Sequence, residues 1–307
     1  MCGIVGLHLR NPELHPQLGA LLTRMLGEME DRGADSAGVA VYGNEPWSPA
    51  GLGTISLIDA TEAPEELATA LSAELGIEVT TTVVENVVLA SGAVDSALLL
   101  AAAGRLFPQV LIGGFGEDLA VLKGVGAPRS LAAAWGLEKA QGWQGVGHTR
   151  MATESAVTSS GAHPYAVGPG ECLVHNGSFS NHATIRRALR ASGVEFDSDN
   201  DTEVGARFVA RRLAEGKPLD EALTELTEAF DGFYTLLVSN RDSFAVVRDA
   251  IACKPAVIAE TDDWVAMASE YRALAHLPGV ENARMWEPEP GVIYHWNRVE
   301  ITQEIPA

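Results

Sequence analysis

Apolar residues recur at helical spacing between residues 16 and 29, where Leu18, Leu21, Leu22, Met25 and Leu26 share one face, and this predicts an amphipathic helix. On either side the pattern changes. Residues 4–9 and 38–42 are short apolar runs that read as strands, and a Gly/Pro-rich passage at 43–53 then marks a boundary. Strand-like runs return at 145–149, 171–175, 232–239, 243–248, 256–259, 264–268 and 291–296, with helix patterns at 181–191, 202–214 and 219–229. Strands that follow one another through short turns favour antiparallel sheets with helices packed outside, an α+β class.

The stretch after the boundary has a different order. Residues 54–59 read as strand, 64–75 as helix, 77–84 and 86–91 as strands, 94–106 as helix and 109–113 as strand. That is β-α-β-β-α-β, the order of a ferredoxin-like unit. Residues 54–117 are therefore expected to form an inserted small α/β lobe within a domain made of residues 1–53 and 118–307. Glycines at 113–116 and 124–126 come without a phosphate-loop lysine or a complete dinucleotide fingerprint, and both groups read as turns.

Composition narrows the function classes. A chain of 307 residues that is 47% hydrophobic can bury a substantial core, as one large domain or as a domain with an insertion. No apolar run approaches the roughly 18 residues of a membrane span, and the start lacks the basic region and apolar stretch of a signal peptide. Three distant cysteines, Cys2, Cys172 and Cys253, suggest neither a disulfide framework nor a metal site, and the last two read as buried strand residues. A cytoplasmic location is expected. The net charge of −20 would repel nucleic acid and reads as a solvated surface.

Candidate chemistry begins with Met1-Cys2-Gly3-Ile4-Val5-Gly6. Loss of Met1 would leave Cys2 first, with a thiol of reference pKa about 8.5 and an α-amino group of about 7.7–8.0 on one residue. Nucleophile and general base would then sit together, although a cysteine also suits an ordinary buried strand position. Arg32-Gly33-Ala34-Asp35-Ser36-Ala37-Gly38 reads as a turn ahead of a strand. In Gly147-His148-Thr149-Arg150-Met151-Ala152-Thr153, Arg150 at a strand end is either a surface cation or a bidentate carboxylate binder. Gly161-Ala162-His163-Pro164 lies in a loop. His175-Asn176-Gly177 ends a strand, where Asn-Gly signals a type I′ hairpin turn or, alternatively, an oxyanion hole from the Asn176 amide and the Gly177 N–H. Asn200-Asp201-Thr202-Glu203 opens a helix as a capping box, or presents Asp201 to a substrate ammonium.

In this order behind Met-Cys-Gly, the segments resemble the class II glutamine amidotransferase domain of the N-terminal nucleophile hydrolases. The resemblance covers residues 1–47 and about 118–307, including Arg248-Asp249, Lys254-Pro255 and Ala268-Ser269-Glu270. It implies a four-layer α-β-β-α sandwich. It also implies roles: Cys2 attacks the side-chain amide carbon of glutamine while its α-amino group shuttles the proton, and Asn176 and Gly177 hold the oxyanion. Arg150 would bind the α-carboxylate, Asp201 the α-ammonium, Thr153 and His163 would line the pocket, and Arg32 would order the loop above the nucleophile. Ammonia leaves, a γ-glutamyl thioester forms, and water releases glutamate.

Two departures adjoin that pocket: Met151 where many members have tryptophan, and Glu154-Ser155 in place of the more usual His-Gly. The string Arg150-Met151-Ala152-Thr153-Glu154-Ser155-Ala156-Val157-Thr158, with Lys123-Gly124-Val125-Gly126 upstream, looks closer to the amidotransferase component of archaeal-type glutamate synthases and the separate subunit of N-methylglutamate synthases. No cysteine cluster suits an iron–sulfur centre, and no cofactor is expected in this chain. The resemblance instead implies a separate synthase subunit carrying flavin and an iron–sulfur cluster, together with a glycine-repeat subunit, and a homo-oligomer is compatible with it. Two alternatives stay open, a free-standing amidase of the same fold and a catalytically weak regulatory or scaffolding subunit. Arg150 with Asp201 argues against the first, and intact Cys2, Asn176 and Gly177 argue against the second.

Overall fold

Alternation along strand β1 (Gly3–Leu9) sets the layering, because successive side chains point to opposite faces of a sheet. Val5, Leu7 and Leu9 enter a core with Leu18, Leu22, Met25 and Leu26 of helix α1 (Leu18–Glu28), whereas Ile4 enters a second core between two sheets. The protein is seen here in a computed structural model that describes residues 2–152 and 156–298. Thr153, Glu154 and Ser155 lie outside the described residues.

After α1 come β2 (Ser36–Tyr42), β3 (Gly53–Ile58), α2 (Pro64–Leu75), β4 (Val79–Val84), β5 (Val87–Gly92), α3 (Ser96–Leu106) and β6 (Leu111–Glu117). The chain returns through β7 (Leu119–Val125), α4 (Pro128–Ala134) and β8 (Gln144–Arg150) before β9 (Cys172–Phe179). Helices α5 (His182–Ala191), α6 (Asp201–Ala214) and α7 (Leu219–Ala229) follow. The remaining strands are β10 (Gly232–Ser239), β11 (Ser243–Arg248), β12 (Val257–Glu260), β13 (Trp264–Ala268), β14 (Arg284–Trp286) and β15 (Ile293–Asn297).

One sheet has seven strands in the order β14-β12-β13-β1-β8-β2-β7, and a second has four in the order β15-β11-β10-β9. Neighbouring strands in both are antiparallel. Tyr42, Val146, Val174, Leu237 and Phe244 fill the space between them. The sheets pack tightly at Gly6, where a Cβ would stand 2.3 Å from Leu237 Cδ2 and would have to displace that side chain. Helices α1 and α4 cover the outer face of the first sheet, and α6 and α7 pack Val204, Leu223 and Leu226 against Leu236 and Phe179 of the second. The order of layers is helix, sheet, sheet, helix.

Residues 53–117 supply a third sheet, β4-β5-β3-β6, again with antiparallel neighbours. Leu67, Leu71 and Leu99 of α2 and α3 pack on Ile55, Leu57, Val88 and Ala90 at one face. The other face adds Ile58, Val84, Val87 and Leu89 to the core beneath α1 and α4. Two polar contacts fasten it to β7: the Val121 N–H donates to Ser56 Oγ at 3.0 Å, and Asn86 Nδ2 donates to the Lys123 carbonyl at 2.9 Å.

The structure corrects some local expectations. Residues 113–116 lie in β6 and Gly124 in β7, so these glycines are strand positions and not turns. They serve packing: a Cβ at Gly116 would meet the Gly170 backbone at 2.7 Å. Cys172 is buried at the start of β9, but Cys253 is exposed and outside the strands. No helix among the described residues is long and apolar enough to cross a membrane.

Candidate active site

Pairing between β1 and β8 places Gly3 opposite Thr149, which brings Cys2 beside the end of β8. The Met151 N–H points at Cys2 Sγ from 3.5 Å, and the thiol lies 3.8 Å from the Met151 carbonyl. The Cys2 carbonyl accepts from Arg32 Nε at 2.8 Å and from Asn176 Nδ2 at 3.0 Å. Arg32 is only 8% exposed, and Glu270 compensates its charge at 2.6 Å. Glu270 is itself held by Arg272 at 2.9 Å. The main chain of Cys2 is thus gripped from two sides while its thiol makes only weak contacts.

Asn176 and Gly177 lie within β9, paired with Thr235 and Tyr234 of β10, so the hairpin-turn reading of Asn-Gly is overturned and the strand continues to Phe179. Asn176 spans the space between the sheets. Its Nδ2 donates to Cys2 O and, at 3.2 Å, to Ser269 Oγ, while its Oδ1 stands 3.0 Å from His148 Nε2. Ser269 Oγ also accepts from the Ile4 N–H at 2.9 Å. Gly177 has φ +143°, and a Cβ there would sit 2.0 Å from the Phe233 carbonyl oxygen. Both observations reserve the position for glycine.

A cavity of about 800 Å³ opens beside these residues, with Arg150, Gly177, Ser178, His182, Asp201 and Phe233 among its walls. Arg150 is buried at the end of β8 and donates to the Ala156 carbonyl at 3.2 Å. Asp201 opens α6 and accepts the Phe179 N–H at 2.8 Å. A guanidinium and a carboxylate in one cavity suit a zwitterion such as a free α-amino acid. Cys2 and Asn176 are not themselves among the cavity walls. Each adjoins one: Asn176 precedes Gly177, and Cys2 contacts the residue after Arg150.

Of the other expected site residues, Arg32 acts on Cys2 and not on the cavity, and Thr153 lies outside the described residues. His163 is buried behind the wall instead of lining it. Its Nε2 is 2.9 Å from Thr202 Oγ1, which His175 Nδ1 also approaches at 2.9 Å, and its ring packs 4.1 Å from that of His148. Burial pushes His148 down to about 3, His175 to about 4 and His163 well below its ordinary value, so these rings are uncharged at neutral pH. The expected capping box forms by half. Asn200 caps the Thr202 N–H at 2.9 Å, but Glu203 turns to the Asp197 and Ser198 N–H groups and to Arg207.

Sequence reasoning passed over His148 as a site residue. Its signal was the strand period, since residues 148 and 150 share one face of β8. Among the described residues no group of histidine, cysteine and carboxylate side chains is placed to hold a metal ion.

A family model described as a glutamine amidotransferase domain matches residues 148–276. The chain is 47% identical over 301 residues to the glutamine amidotransferase-like protein GlxB of Rhizobium meliloti (strain 1021), an alignment that takes in 97% of this chain and 98% of that protein. It is 37% identical over 159 residues to the glutamine–fructose-6-phosphate aminotransferase (isomerizing) of Thermus thermophilus, over 52% of this chain and 26% of that one. The solved glutamine phosphoribosylpyrophosphate amidotransferase of B. subtilis superposes with a TM-score of 0.61 at 20% identity, over 96% of this chain and 47% of that chain. That last likeness is one of fold, and this chain spans about half the length of the solved protein.

Proposed function

The chain belongs to the class II glutamine amidotransferases, and from that membership we propose that it hydrolyses the glutamine side-chain amide at Cys2 and passes the ammonia to a separate synthase subunit. One observation carries the reading: Asn176 of one sheet donates to Cys2 at the start of the central strand of the other, beside a cavity that holds both Arg150 and Asp201. With Met1 removed, the α-amino group of Cys2 takes the thiol proton as Sγ attacks the amide carbon. Charge that develops on the amide oxygen is met by Asn176 Nδ2, which gives up its contact to the Cys2 carbonyl, and by the Gly177 N–H. The amine returns its proton to the leaving nitrogen, the C–N bond breaks, and ammonia departs from a γ-glutamyl thioester. Water then attacks the thioester carbon, its proton passes through the same amine to the sulfur, the C–S bond breaks, and glutamate leaves.

The acceptor is proposed to belong to a synthase of glutamate synthase or N-methylglutamate synthase type, with flavin and an iron–sulfur cluster on the partner. The support is the likeness of residues 150–158 and 123–126 to that branch. Residues 54–117 are proposed to be a ferredoxin-like lobe, a reading supported by the strand order β4-β5-β3-β6 with both helices on one face. A cytoplasmic location is proposed with it. Incubating purified protein with glutamine and measuring glutamate, alone and with candidate synthase subunits, tests the function. Glutamate formation that Cys2→Ala abolishes is expected, and a protein inert toward glutamine in both settings would overturn the reading.

A further inference from the structure

A side-chain amide is nearly symmetric in shape but opposite in chemistry at its two ends. If Asn176 turned over, an oxygen would face the developing oxyanion and repel it. At the Nδ2 end the partners are Cys2 O and Ser269 Oγ. Ser269 Oγ accepts from both Asn176 Nδ2 and the Ile4 N–H, but its hydroxyl can as readily donate to an amide oxygen and so does not select one orientation. The contact to Cys2 O must loosen whenever Nδ2 turns to a substrate oxygen. At the Oδ1 end stands His148 Nε2, at 3.0 Å, on the side away from the reaction.

We propose that His148 is a positioning residue that locks Asn176 with its donor end toward Cys2. The inference rests on the reading of Asn176 as an oxyanion donor. For the contact to be a hydrogen bond, Nε2 must carry the proton, because Asn176 Oδ1 only accepts. The ring is well anchored for that task. His148 is 0% exposed and pairs in register with Ile4 of β1 and Gly38 of β2, so two strand ladders fix its backbone. Its ring lies 4.1 Å from that of His163, which Thr202 holds in turn. The contact also crosses from the first sheet to the second, so it sets the amide by the spacing of the whole sandwich.

A double-mutant cycle on glutamine hydrolysis tests this. His148→Phe, with His148→Leu in parallel in case one fails to fold, is expected to lower kcat about tenfold, the factor that corresponds to about 1.4 kcal/mol. KM should change little, because the Arg150 and Asp201 clamp is separate. His148→Gln, which keeps an N–H donor, should retain most of the rate. Asn176→Ala should lower kcat by the order of 10²–10³. The double variant should be no slower than Asn176→Ala alone. Alkylation of Cys2 by iodoacetamide builds no oxyanion and should proceed at the unmodified rate in the His148 variants. Four results would overturn the inference: a wild-type kcat in His148→Phe and His148→Leu, losses that add in the double variant, equal losses in alkylation and hydrolysis, or His148→Gln falling as far as His148→Phe. An Asn176→Ala variant with full kcat would instead remove the oxyanion reading itself, and the inference with it.

Discussion

At Asp201 a single carboxylate joins two tasks, since it accepts the Phe179 N–H at 2.8 Å and also walls the cavity. Asn in its place keeps an acceptor for that N–H but loses the charge. Asp201→Asn is therefore expected to raise the glutamine KM about ten- to a hundredfold, the range that corresponds to about 1.5–3 kcal/mol for a hydrogen bond to a charged group. Steady-state kinetics beside a thermal melt separate the two tasks. A lowered Tm with an unchanged KM would assign Asp201 to the start of α6 and leave the ammonium without its partner. Cys2 offers the opposite case, because its thiol contributes only contacts of 3.5 and 3.8 Å to Met151. Cys2→Ala should melt with the parent protein yet yield no glutamate. Intact-mass measurement should show the parent without Met1, and full activity in a chain that retains it would contradict the role given to the α-amino group.

Strand β9 shows at the level of elements what the sequence disclosed and what it hid. The amphipathic stripe of α1, the helix at 219–229 and most strands of the two facing sheets were legible, because period alone distinguishes a buried face from an exposed one. The grouping of Cys2, Arg150, Asn176 and Asp201 was legible only through the resemblance, since nothing local says that residues so far apart in the chain will meet. Asn176-Gly177 has the composition of a turn, yet eight residue pairs join β9 to β10 straight through it. Long-range pairing overrode a local preference there, as it did for the glycines of β6, whose small size serves close packing. The Glu203 arm of the capping box was misread for a similar reason: the carboxylate finds three donors in the loop before α6 and an arginine one turn on. At Gly177 the same pairing makes a substitution costly. Its φ of +143°, and the Phe233 oxygen only 2.0 Å from where a Cβ would stand, mean that Gly177→Ala must push β9 off β10. A stability loss of about 1–3 kcal/mol is expected with a fall in kcat, read by denaturant titration and glutaminase assay. An alanine variant of unchanged stability would show that the strand pair yields easily.

For the molecule as a whole, the buried histidines make a claim about acid. His8, His148, His163 and His175 are all buried, and burial lowers the first to about 4, His148 to about 3, His175 to about 4 and His163 well below its ordinary value. In the unfolded chain the same rings titrate near 6.5. Between about pH 6.5 and pH 4 the unfolded chain therefore binds protons that the native protein refuses, and stability must fall as pH falls through that window. Glu171 opposes this, because burial raises its carboxyl to about 7 and the native state takes up that proton first. Burial also raises Asp118 and lowers His15, so two carboxyls stand against five imidazoles and the imidazoles prevail. The mutual repulsion of a chain carrying −20 relaxes on acidification, but the reference carboxylate range of about 3.9–4.3 lies at the foot of the window. Denaturant titrations at pH 7, 6 and 5 should show a progressive loss of unfolding free energy, and a flat or rising profile would refute the account. His8 isolates one contribution, since it sits between the sheets against Gln144 at 2.7 Å and takes no part in the proposed chemistry. His8→Phe will shift the whole curve by leaving Gln144 short of a partner, but near pH 5 it should also reduce the slope by about 1.4 kcal/mol per pH unit, the weight of one proton. A slope unchanged by that substitution would mean that His8 is charged in the native protein, in spite of its burial.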